Sequence, residues 1–280
     1  MKIRIDFSLN DNRKDLLALL KRLQPIWDSA EDIIFDLSDC RYIGPDAVAV
    51  LAAAYFQKRR DGLEVKIALP TGPRPLVAFT QFSGLQHLFG LGEIPDVTHP
   101  QCVTVPLRQL ETARHNDTEP IFQLIECHSD LDEDTKQIIG VALSEVLQNV
   151  QDHANSPIGA VTCARFLSGS NEIRIAVVDA GEGILRTLRR TYPLMQDTAE
   201  ALRSVAAGGY SARSRPNNGG LGISNLCLVT SGKGGALTLV TDGGYLEQRK
   251  QRRYAANLDL HFPGTGVFFT IKTTSSERQS

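Results

Sequence analysis

The chain of 280 residues has almost no charge imbalance: 30 lysines and arginines face 32 aspartates and glutamates, a formal net charge of −2. That balance gives no global signal for nucleic acid or an anionic membrane. Cysteines are scarce, five in all (Cys40, Cys102, Cys127, Cys163, Cys227), odd in number and without a C-x-x-C pair. A disulfide framework and a thiolate metal site are both disfavoured, and reduced thiols in the cytoplasm are expected. The six histidines have no metal-ligand spacing. No apolar run is long: the longest, Ala47 to Phe56, is far shorter than the ~20 residues of a membrane span. The opening "MKIRIDF" alternates charged and apolar residues and lacks the apolar centre of a signal peptide. Repeats and low-complexity segments are missing too. What is present is an ordinary globular composition, 42% hydrophobic, ample for a core, at a length that suggests two domains.

The first hundred residues read as a small α/β unit. "KIRIDF" (2–7), "DIIFDL" (32–37), "EVKIAL" (64–69) and "CVTVPL" (102–107) read as strands. Between them, 12–23 and 45–60 have helical periodicity, the latter with Pro45 in its first turn, and "LVAFTQFSGLQHLFGL" follows the breaker cluster "PTGPRP" as helix and turn. The polar segment 108–120, "RQLETARHNDTEP", is a domain boundary or a helix joining two packed domains. Domains are expected at 1–110 and 111–275, with a disordered tail at 276–280. The second part opens with a helix over 131–154, followed by strands at 159–167, 172–181 and 235–244. Two more strands are expected in "NLDLHFPGTGVFFTIK" (257–272), around a turn at Pro263-Gly264. Strands alternating with helices predict an α/β class with a mixed sheet and helices on one face. The basic run "EQRKQRRY" (247–254) reads as an exposed hairpin tip rather than a nucleic-acid contact.

Three stretches stand out. "LSEVLQNVQDHA" (143–154) carries Glu145, Asn149 and His153 at four-residue spacing, which stacks them on one helical face. Asn is a poor helix former, so its mid-helix position needs a reason. "DAGEGI" (179–184) follows an apolar strand directly, and "GGLGISNL" (219–226) opens a helix. Taken singly, these are a surface stripe, a turn and a helix start. "PGTGVFF" (263–269) is a weaker fourth.

In order and separation they resemble the N, G1, G2 and C-terminal glycine-threonine boxes of the GHKL ATP-binding superfamily, over about residues 120 to 273. The pattern E-x-x-x-N-x-x-x-H-A is most similar to that of bacterial anti-sigma-factor serine kinases. The resemblance implies an α/β sandwich binding ATP and Mg²⁺. It implies Asn149 as the Mg²⁺ ligand through its amide oxygen, and Glu145 as the group polarising water or a hydroxyl toward the γ-phosphate. Asp179 would accept the adenine amino hydrogens, and Gly181 and Gly183 would let the backbone approach the base and hinge. Gly219, Gly220 and Gly222 would face phosphate at a helix start. Thr265 would add a hydroxyl near adenine, with His153 at the pocket edge. Residues 185–218 would form a lid from which Arg213 or Arg215 meets the γ-phosphate.

"IIFDLSDCRYIGPDAVAVLAAAY" (33–55) resembles the core of a STAS domain, the anti-sigma-factor-antagonist fold. The family's phosphorylated serine falls here on Asp46, or on Pro45 with the register slipped by one, so the domain is no substrate in cis. It would act as a phosphoserine mimic or a docking surface. Together the two resemblances imply an ATP-dependent switch with slow hydrolysis, acting on a regulatory protein partner in the cytoplasm. The alternatives are a serine/threonine kinase acting on a separate STAS-domain protein, and a nucleotide-binding scaffold without turnover. A homodimer is left open, membrane attachment is not expected, and a histidine kinase ranks low because no long paired helix precedes residue 135.

Overall fold

The computed structural model describes residues 1–8, 13–93, 103–112, 114–208 and 221–273. The first unit runs β1 (Lys2–Arg4), α1 (Arg13–Trp27), β2 (Ile33–Asp36), α2 (Pro45–Arg60), β3 (Val65–Ala68), α3 (Arg74–Phe82) and α4 (Leu85–Leu88). Its three strands pair in parallel in the order β1-β2-β3. The second comprises β4 (Thr104–Leu110), α5 (Glu119–His128), α6 (Glu133–Asn149), β5 (Ala160–Leu167), β6 (Glu172–Asp179), α7 (Gly183–Arg189), α8 (Thr198–Ala207), α9 (Gly222–Lys233), β7 (Gly235–Thr241), β8 (Gly244–Arg249), β9 (Arg252–Asn257) and β10 (Thr265–Lys272). Its seven strands lie in the order β4-β5-β6-β10-β7-β8-β9.

The α/β class is observed, and the large sheet is antiparallel at every pairing rather than mixed. Alternation along its strands builds two cores. Ala164, Ile175, Val177, Leu239, Leu246 and Phe269 face a layer of α5, α6, α8 and α9. Val161, Cys163, Ala176, Val178, Tyr245 and Phe268 face the opposite way and share one core with the first unit. Both faces are therefore covered, not one.

Helix α2 makes that junction. Its residues Ala47 to Ala54 are all buried, so more than two turns have no water-facing side. A helix apolar all round belongs between two layers. Here the layers are the small sheet with α1 and the β5–β6 face of the large sheet. The alanines keep its girth small. Arg60 donates to the carbonyl of Pro157 across the seam.

Several expectations change. The strand expected at 102–107 as the end of the first unit is β4, the edge of the large sheet, because periodicity marks a strand without naming its partner. Helix 131–154 stops being α-helical at Asn149 and continues as a π-helical turn over Val150–Ala154, closed by Asn155 at φ 49°. Residues 258–264 contain no strand, so 257–272 supplies one strand, β10. The run 235–254 supplies three strands, and the basic run stands, as expected, at the exposed tip of the β8–β9 hairpin, with Lys250 and Gln251 in its turn. Within the expected lid, 185–218, α8 buries Ala201, Leu202, Val205 and Ala206 against β8 and β9, and residues 209–218 lie outside the described residues. The tail at 276–280 lies outside the described residues.

Candidate functional site

Helix α6 is started by Asp132, whose side chain accepts from the Thr135 N–H at 2.8 Å and pairs with Lys233 at the end of α9. These contacts fix α9 antiparallel against α6, with Gly222 beside Glu145. A Cβ on Gly222 would lie 2.9 Å from the Glu145 Cβ and 3.0 Å from the Ala142 carbonyl oxygen. Only glycine allows that approach. The start of α9 therefore stands against the acidic side chain, a favourable place for a negative charge. The Glu145 Oε2 is buried, with no hydrogen-bond partner among the described residues.

One turn further on, a cavity of about 110 Å³ opens between α6, the π-helical turn, β6, α7, α9 and β10. Asn149, His153, Asp179, Thr187 and Thr265 provide its polar lining, and Val146, Ile184, Leu188 and Ile223 are among its apolar walls. Asp179, 3% exposed, ends β6. Burial pushes its carboxyl up to about 7, against the downward pull of the Gly181 and Thr265 N–H groups. The Gly181 N–H lies 2.8 Å from its Oδ1. A strongly desolvated acid in an apolar cleft is the ordinary signature of a working site.

The glycines act differently from the expectation. A Cβ on Gly181 would lie 2.1 Å from the Ala154 carbonyl oxygen, which accepts from the Glu182 N–H at 2.8 Å. Gly181 therefore seats its loop on the π-helical turn and does not line the cavity. Gly183 does line it, at φ 76°, where a side chain would meet Thr241 Oγ1 at 2.6 Å. The Thr241 hydroxyl donates to the Gly264 carbonyl at 2.8 Å and accepts from the Ile184 N–H at 3.1 Å. Gly264, at φ 85°, faces Asp179 so closely that a Cβ would stand 2.2 Å from its carbonyl oxygen.

Asn149, His153, Asp179, Gly183 and Thr265 thus meet around one cavity. Glu145 and Gly222 adjoin it along α6 and α9. Gly219, Gly220, Arg213 and Arg215 lie outside the described residues. In α7 and just after it, Arg186 and Arg190 pair with Glu182, and Arg189 donates to the Met195 and Gln196 carbonyls. Sequence reasoning misses Thr187, which lines the cavity, and Thr241, which ties the loops beside it. Thr187 falls four residues after Gly183, and its hydroxyl returns to that carbonyl at 2.8 Å, so an i, i+4 count from the loop finds it. Nothing in the sequence points to Thr241.

No protein-family model and no curated protein matches the chain. Among solved structures, it is similar to the B-subunit of the DNA gyrase from Myxococcus xanthus, at 13% identity, 50% coverage of this chain, 38% of that one and a TM-score of 0.29. It is also similar to a topoisomerase IV ATP-binding domain of Francisella tularensis in complex with a small-molecule inhibitor, at 15%, 60%, 42% and 0.26 respectively. The chain spans less than half the length of either structure. Among the described residues, no group of three His, Cys, Asp or Glu side chains is placed to hold a metal, and no helix is long and apolar enough to cross a membrane.

Proposed function

We propose that the chain binds Mg-ATP as a GHKL-type domain and works as an ATP-dependent conformational switch that hydrolyses slowly and signals through a protein partner. The observation that carries this reading is Asp179, buried at the end of an apolar cavity whose other polar groups converge on it. A flat heterocycle with an exocyclic amine suits that slot: its apolar faces meet valine and isoleucine, and its amine donates to the carboxylate. Guanine presents a carbonyl where adenine presents the amine, and is disfavoured by an acceptor. Asn149 offers a single hard oxygen. Mg²⁺ commonly takes few protein ligands and completes its shell with water and phosphate, which suits a site with no carboxylate cluster among the described residues. When bound, the metal supplies charge neutralisation on the phosphates. Glu145 sits one turn away, its buried Oε2 without a hydrogen-bond partner among the described residues, and would orient and deprotonate the attacking water.

The unit resembling a STAS domain has Asp46 buried, 8% exposed, in the first turn of α2. The first unit braces the back of the large sheet through α2. Incubation with γ-labelled ATP and Mg²⁺ tests the switch: free labelled phosphate at a slow rate is expected. Label transferred to a separate STAS-domain protein would replace the switch with the kinase alternative. Nucleotide binding without either product would leave only a scaffold.

A further inference from the structure

On the face of the large sheet turned toward the first unit, Arg165 of β5 stands directly opposite Arg174 of β6. Like charges facing across a strand pair destabilise it unless something compensates. The compensation is incomplete. Glu172 gives one oxygen to Arg174 at 2.7 Å and the other to Lys272 at 2.7 Å. Among the described residues, no carboxylate lies within ion-pair range of Arg165. Its guanidinium rests 4.2 Å from the ring centre of Phe79 in α3, and its Nε is buried with no hydrogen-bond partner among the described residues. A buried donor left unmet costs about 1–3 kcal/mol, more when charged. Beside it opens a cavity of about 430 Å³ lined by Arg165, Arg174, Tyr42, Ser168 and Ser170, among others. Tyr42 comes from the first unit, between β2 and α2. The cavity shares no residue with the one around Asp179, which lies at the far end of β6.

We infer that this seam is a binding site for a phosphate-class oxyanion held by the Arg165 guanidinium. The planar fork of arginine presents several donors to one tetrahedral anion. The Ser168 hydroxyl lies at the same opening, and that of Ser170 donates to Glu172 Oε2 at 3.1 Å, beside Arg174. An anion there touches both units and holds the first against the sheet. The inference does not depend on what occupies the Asp179 cavity.

The test uses the full chain, labelled with ¹⁵N and titrated with inorganic phosphate against sodium chloride at matched ionic strength. The Arg165 Nε–H signal, assigned by its loss in Arg165→Lys, is expected to move and saturate with phosphate only. Phosphate should also raise the melting temperature, and Arg165→Lys, which keeps the charge but loses the fork, should weaken phosphate affinity by about tenfold and shrink that rise. Asp179→Asn should leave both responses intact. An Nε–H signal that fails to saturate, an undiminished response in Arg165→Lys, or its loss in Asp179→Asn would each overturn the proposal.

Discussion

At the scale of the residue, Asp179 sets opposite pH dependences for folding and for binding. Its folded value is about 7, against about 3.9 for an unfolded aspartate. Between those values the folded chain binds more protons than the unfolded one. The Asp179 contribution to stability is therefore greatest below about pH 4 and falls as pH rises toward 7, at up to about 1.4 kcal/mol per unit. Urea unfolding at pH 5 and pH 7 should show that loss, and Asp179→Asn should reduce it. An amine donor prefers the carboxylate, so ATP affinity should weaken as pH falls from 8 to 6, and Asp179→Asn should cut it by at least about tenfold at pH 8. Calorimetric titration reads both effects. Glu145→Ala should spare binding and abolish hydrolysis; unchanged turnover would remove Glu145 from the chemistry. Gly264→Ala introduces a left-handed strain and a collision with Asp179 together, and should destabilise by more than about 2 kcal/mol in denaturant.

At the scale of the element, α2 and the π-helical turn are the informative cases. The Ala47 to Ala54 stretch is buried on every side, so added volume has nowhere to go. Ala52→Leu should cost about 1–3 kcal/mol in urea unfolding, whereas Arg59→Leu, on the exposed last turn, should change little. The four-residue spacing of Glu145, Asn149 and His153 holds as far as Asn149. The wider turn after it carries His153 away from a strict stack, and it still reaches the cavity. Such turns occur mostly singly, within α-helices, and frequently at functional sites. No residue pattern announces this one, because it is set by the packing of the 179–182 loop on the Ala154 carbonyl.

At the scale of the whole molecule, one core runs from the first unit onto the large sheet through Val161, Cys163, Ala176, Val178 and Tyr245. The two units should therefore unfold together, in a single calorimetric transition; two resolved transitions would show separate domains. A fragment of residues 103–280 would expose that sheet face and should bind a hydrophobic dye or aggregate.

Local chemistry is enough to determine much of this protein from its sequence. Alternating and helical periodicities locate most elements. The acid-glycine loop after an apolar strand, the spacing along α6 and the Gly-Thr-Gly turn near the C-terminus single out Asn149, His153, Asp179, Gly183 and Thr265, all of which line the cavity. These features depend on near neighbours in the chain, so the sequence records them directly. Tertiary structure alone decides that β4 joins the large sheet, that α2 is a filling between two sheets, that Thr241 ties the loop at Gly183 to Gly264, and that Arg165 faces Arg174. Each of these is a contact between segments that the chain order does not bring together, and periodicity gives the face of an element without saying what will cover it.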